Sequence, residues 1–165
     1  MIRKINPIFA RPLSENNIEP YVVPTGVTYL NKIIVDANEL SSPNVYTLRS
    51  VILKSGTTNS YTFRLYWNTT VTTAGATLLA SYTLPATTIQ YIAIARYLYF
   101  DTNSTLQIMN PNYTAAASDI GDFPTTASTV TVSNWLSNSG YFFVSCDAAP
   151  SGVDSVGSTY LSIET

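Results

Sequence analysis

Acid–base chemistry in this chain would have to be carried by carboxylates, because histidine is absent and ten Asp and Glu are what remains to titrate below neutrality. Two short stretches place such groups close together: "SDIGDF" sets Asp119 and Asp122 three apart, and "CDAAPSGVDS" supplies Asp147 and Asp154. Four hard oxygen donors in loops are the ligand type that calcium takes, but their spacing matches no ordered calcium loop, so they read as surface turns and no metal is assigned. Glu15, Glu19, Asp36, Glu39, Asp101 and Glu164 are scattered singly. A glycosidase needs two carboxyl groups facing each other across about 5 to 9 Å, and nothing in the sequence points to such a pair. Without histidine there is no Ser-His or Cys-His triad, and the commonest zinc ligand is missing too. Gly152 and Gly157 do not form a phosphate-cradling loop. A protein with no catalytic residue and no cofactor is therefore expected.

Aromatic and amide side chains are the other groups able to recognise something. Tyr66, Tyr97 and Tyr99 are expected on the solvent side of their strands, where they can stack on a sugar or line a subunit interface. Trp67 and Trp135, with exposed tyrosines near Asp119 and Asp122, would serve a carbohydrate- or receptor-binding module in the same way. Arg96 is the one charged residue in "IQYIAIARYLYF". It reads as an outward arginine whose stem covers neighbouring rings, or as half of an ion pair across a subunit interface. Asn68, Asn103 and Asn112 each begin an Asn-x-Ser/Thr pattern, which a chain this rich in Asn, Ser and Thr meets by chance. Cys146 is alone, so no intrachain disulfide can form, and in "GYFFVSC" it reads as a small buried apolar residue.

These groups need a scaffold, and the composition describes one. The chain has 165 residues, 45% hydrophobic and 12% aromatic, enough for one folded domain. Charged residues are 11%, against about 25% in an ordinary soluble domain, and Thr, Ser and Asn, about a third of the chain, replace them. A net charge of −2 gives no general attraction to phosphates, so direct nucleic-acid binding is not expected. No apolar run is long enough for a membrane helix. The start "MIRKINPIF" breaks at Asn6 and Pro7 before any secretory apolar segment develops.

From residue 18 onward the pattern is that of short strands. In "SYTFRLYWN" the residues Tyr61, Phe63, Leu65 and Trp67 share one face, and Thr62, Arg64, Tyr66 and Asn68 the other. "YLNKIIVDA", "VYTLRSVILK", "ATLLASYTL", "IQYIAIARYLYF", "STLQIM", "STVTVSNW", "GYFFVSC" and "STYLSIE" continue the series between Gly, Pro and Asn turns. The alanines of "TTAGATLLASY" suit a helix, but its threonines and Gly75 favour a strand. Nine or ten strands predict an all-β protein, an antiparallel β-sandwich of jelly-roll-like type over residues 18–165, with an immunoglobulin-like topology as the other option. Residues 1–17 read as an extended N-terminal arm. Its Arg3, Lys4, Ile5, Ile8, Phe9 and Arg11 are suited to a partner's groove and an acidic surface, the other option being an N-terminal strand folded back on its own sandwich.

The stretch "FRLYWNTTVTTAGATLLASYTLPATTIQYIAIARYLYF", residues 63–100, resembles small β-sandwich structural proteins of tailed-phage virions, the capsid-decorating and auxiliary head proteins. Tyr66, Asn68 and Thr69, then Gly75 to Leu84, then Tyr91, Ile94, Arg96 and Leu98 carry the likeness. The resemblance implies a virion structural role, with assembly in the host cytoplasm. It also implies a major capsid or other virion protein as partner, association with further copies of the chain, and no catalytic residue. A glycan- or receptor-binding sandwich is the alternative.

Overall fold

The computed structural model describes residues 29–56, 59–86, 90–109, 128–131, 134–146 and 155–164. Nine strands lie among them: β1 Asn31–Val35, β2 Asn44–Ser55, β3 Tyr61–Asn68, β4 Thr77–Leu84, β5 Gln90–Phe100, β6 Thr105–Met109, β7 Ser128–Thr131, β8 Gly140–Cys146 and β9 Ser155–Glu164. Strand β3 alternates as its sequence predicts, with Tyr61, Phe63, Leu65 and Trp67 buried and the residues between them half-buried. The alanine-bearing stretch is strand β4 and not a helix. Of "STVTVSNW", Ser128–Thr131 form strand β7, residues 132 and 133 lie outside the described residues, and Trp135 lies in a turn with Asn134, a residue with φ of 61°. Asparagine tolerates that left-handed backbone because its short amide can bond locally.

The strands form two antiparallel sheets, a four-stranded one in the order β1-β8-β3-β4 and a five-stranded one in the order β7-β6-β5-β2-β9. They pack face to face, which buries the apolar side of each strand between them. The longest pairing, β2 with β5, runs from Asn44 opposite Phe100 to Lys54 opposite Gln90. At one flank β1 and β9 meet across the gap between the sheets, where the buried Asn31 donates its Nδ2 to the Ser158 carbonyl at 3.4 Å.

Two bulges reset the alternation. Opposite Leu65 and Tyr66, β4 offers Ala80 and Leu78, so the extra residue Leu79 is buried beside Ala80. Opposite Val51 and Ile52, β9 offers Tyr160 and Ser158. That second bulge lets Val156 face the core on an even number while Leu161 and Ile163 face it on odd numbers.

One end of the core is aromatic. The Trp67 and Trp135 rings lie 4.3 Å apart between centroids, and Phe100 and Phe142 approach Trp135 at 5.8 Å and 6.5 Å. Tyr46 meets Phe100 edge-on and accepts a hydrogen bond from the Ser41 amide at 2.9 Å, which satisfies its buried hydroxyl. Gly140 lets the Trp67 indole lie against its backbone, since a Cβ there would stand 2.7 Å from Nε1. Cys146, expected to be buried, is half-buried at the end of β8 and packs against the core.

Candidate functional site

Of the groups singled out for chemistry, Asp119, Asp122, Asp147 and Asp154 lie outside the described residues, as do the arm residues Arg3, Lys4, Ile5, Ile8, Phe9 and Arg11. Among the described residues no three His, Cys, Asp or Glu side chains come together to hold a metal ion. Asp36 and Glu39 close an exposed turn on each other's backbone: the Asp36 amide donates to Glu39 Oε2 at 2.8 Å, and the Glu39 amide donates to the Asp36 carbonyl at 3.1 Å. No helix among the described residues is long and apolar enough to cross a membrane.

Two expectations are corrected. Trp67 and Trp135 are both buried in the core, so neither presents a ring to a sugar. Arg96 does not face outward: it is 2% exposed and shares the inner face of β5 with Ile94 and Leu98. Its guanidinium lies 5.6 Å from the Tyr82 ring on the opposite sheet, and its Nη1 donates to the Ala95 carbonyl at 2.6 Å. A charge is tolerable there because the ring's electron-rich face and the carbonyl replace part of its water.

The tyrosines offered as interface candidates fall on opposite sides of the sandwich. Tyr66 is half-buried on the outer face of the four-stranded sheet, stacked on Phe143 at 5.5 Å. Tyr97 is exposed and Tyr99 half-buried on the outer face of the five-stranded sheet.

The amides of two Asn-x-Thr/Ser patterns organise loops. Asn68 donates its Nδ2 to the carbonyls of Thr72 and Ala74, which shapes the turn from β3 to β4. Asn103 accepts from the amides of Leu136 at 2.8 Å and Ser137 at 3.2 Å, and donates to Ser137 Oγ at 2.8 Å. Asn103 thereby holds the turn that carries Trp135. Replacing Asn103 by alanine is expected to cost about 1–2 kcal/mol, since it leaves two amides to find water. Chemical denaturation checks this, and an unchanged midpoint would show the turn to be held by packing alone.

Sequence reasoning passed over Arg49, Tyr160 and Glu164, which the pairing of β2 with β9 gathers on the outer face of the five-stranded sheet. Arg49 Nε lies 3.7 Å from Glu164 Oε2. Glu164 Oε1 accepts from the Tyr160 hydroxyl at 3.0 Å and from Ser162 Oγ at 2.8 Å. Beside this cluster a shallow depression of about 320 Å³ is lined by Arg49, Val51, Ala93, Ala95, Tyr160 and Glu164. The small side chains of Ala93 and Ala95 leave the hollow between taller neighbours. Chemically it offers an aromatic wall, an apolar floor and one pair of opposite charges, which suits recognition and contains no activated nucleophile.

Comparison with protein-family models, with curated proteins and with solved structures finds no match for this chain.

Proposed function

We propose that this chain is a non-enzymatic structural protein of a virion, a jelly-roll-like sandwich that attaches to the head shell of a tailed phage as an auxiliary or decoration protein and associates with its own copies. The observation that supports this reading is the outer face of the five-stranded sheet, where Val45, Tyr97 and Tyr160 are exposed among Thr47, Ala93 and Ala95. Such a face sheds water at lower cost than the lysines and glutamates that coat most monomers. The likeness of residues 63–100 to phage decoration sandwiches points the same way. In this reading the shell partner is the major capsid protein or another virion protein, assembly takes place in the host cytoplasm, and Arg3, Lys4 and Arg11 steer residues 1–17 toward an acidic surface. The jelly-roll-like topology draws support from the interleaving of β1, β8 and β3, strands far apart in sequence.

Purified particles test the proposal. The chain is expected at repeated positions and in fixed stoichiometry with the shell protein, and recovery only from the soluble extract overturns it.

A carbohydrate- or receptor-binding role has one observation in its favour, the depression walled by Tyr160 with Arg49 and Glu164 at its side. Glycan binding that Tyr160→Ala abolishes would replace the structural reading with this one.

A further inference from the structure

We infer that the outer face of the five-stranded sheet binds the same face of a second copy of this chain about a two-fold axis, with Arg49 of each copy over Glu164 of the other. This rests on the self-association proposed above and names the surface that carries it. Three large apolar side chains stand exposed on that face, Val45 at 49%, Tyr97 at 36% and Tyr160 at 39%. Leu53, further along the same face, is buried, and strand spacing and residue rise give the part that stays open, residues 45–51 with their neighbours on β9, β5 and β6, a projected area on the order of 400 Å², about half the roughly 800 Å² of accessible surface that each partner contributes to a standard interface.

The charges decide which partner fits. Arg49 and Glu164 are side by side on neighbouring strands, with their side chains 56% and 30% exposed. A two-fold axis lying in the interface midway between them sets each arginine opposite the other copy's glutamate, so that four charges alternate in sign. The face is therefore its own electrostatic complement, which is the requirement of an isologous contact. Tyr160 and Ser162 already hold the Glu164 carboxylate in place, so less side-chain freedom remains to be lost on association. The hollow over Ala93 and Ala95 leaves room for a ring from the opposite copy. The outer face of the four-stranded sheet lacks this property, because its strand residues include Lys32 and Arg64 and no acid, so two copies would repel there.

Charge reversal and mixing test the inference. The wild-type chain is expected to sediment as a dimer at micromolar concentration. Arg49→Glu and Glu164→Arg, each alone, place like charges across the axis and are expected to raise the dissociation constant about 100-fold. Mixed in equal amounts, the two variants are expected to form a heterodimer of wild-type affinity, because both cross-axis pairs are then opposite in sign. A within-chain role for the ion pair predicts no such rescue. Circular dichroism confirms folding of each variant, and Ala93→Trp, which fills the hollow and adds no charge beside Arg49 and Glu164, is expected to abolish the dimer independently.

A wild-type monomer, single variants that still dimerise, or a mixture that stays monomeric would each overturn the inference. Virion location is read separately from particles. A chain found on particles without mixing rescue removes this face and keeps the virion reading, whereas rescue in solution with no chain on particles does the reverse.

Discussion

Replacing Trp135 by alanine is expected to lower the free energy of unfolding by about 3–5 kcal/mol, which in a chain of this size moves the melting temperature down by about 10 °C. Trp135 comes from a turn and not from a strand, yet it lies between Trp67, Phe100 and Phe142 and closes one end of the core. The sheets on either side are held by their ladders and cannot collapse far into the space that an alanine would leave. Trp135 Nε1 is buried with no hydrogen-bond acceptor among the described residues. Its removal in Trp135→Phe therefore relieves a cost, and that variant is expected to lose less than half as much as Trp135→Ala. Urea titrations of the two variants make the comparison. Equal losses would mean that indole-specific contacts outweigh ring packing.

Arg96→Ala is expected to cost about 3 kcal/mol. The side chain runs inward from β5 to the Tyr82 ring of the facing sheet, so its loss removes a contact between the two layers and leaves a void where the stem lay. Arg96→Met keeps most of the stem's volume but loses the Nη1 hydrogen bond and the cation–ring contact, and is expected to cost about 1–2 kcal/mol. Denaturation midpoints of the pair separate volume from charge. A loss below about 1 kcal/mol in Arg96→Ala would remove Arg96 from the inter-sheet contacts.

The inward position of Arg96 was legible in the sequence, and the type of the residue concealed it. In "IQYIAIARYLYF" a period of two puts Arg96 on the face of Ile94, Leu98 and Phe100, all of them buried, and Tyr97 and Tyr99 on the other. The rule that charged groups stay in water argues against the pattern, and here the pattern prevails because Tyr82 and a carbonyl receive the guanidinium. In β3 the two signals agree, and its two faces follow directly from "YTFRLYWN".

The bulges at Leu79 and between Ser158 and Tyr160 carry no signal of that kind, since each is set by the register with its partner strand and not by the alternation of its own residues. The site shows the same division. Tyr160, Ser162 and Glu164 alternate visibly with Leu161 and Ile163, so their common face can be read from "YLSIE". Their neighbour Arg49 can be named only once β2 is known to pair with β9, a register between residues more than a hundred positions apart. Trp135 reads as a surface ring in the sequence because the contacts of Asn103 with residues 136 and 137, which hold its turn, join positions 33 and 34 apart and follow from no local pattern.

The pairing of β1 with β8 and of β2 with β9 also governs how the chain reaches this structure. Asn31 finds Val144, and Thr47 finds Glu164, only after the segments between them have been looped out, so the entropy of closing two long loops is lost before either sheet is complete. Chains dominated by such distant pairings fold in milliseconds to seconds and not in microseconds. During synthesis at about 5–20 residues per second, β1 waits for several seconds with no partner, and β2 with β5 on one side and an open edge on the other, before β8 and β9 emerge from the ribosome. The low charge that makes the finished surface easy to dry leaves the nascent one with little to repel its neighbours, and the interval before the last strand arrives is when the chain is most exposed to misassembly.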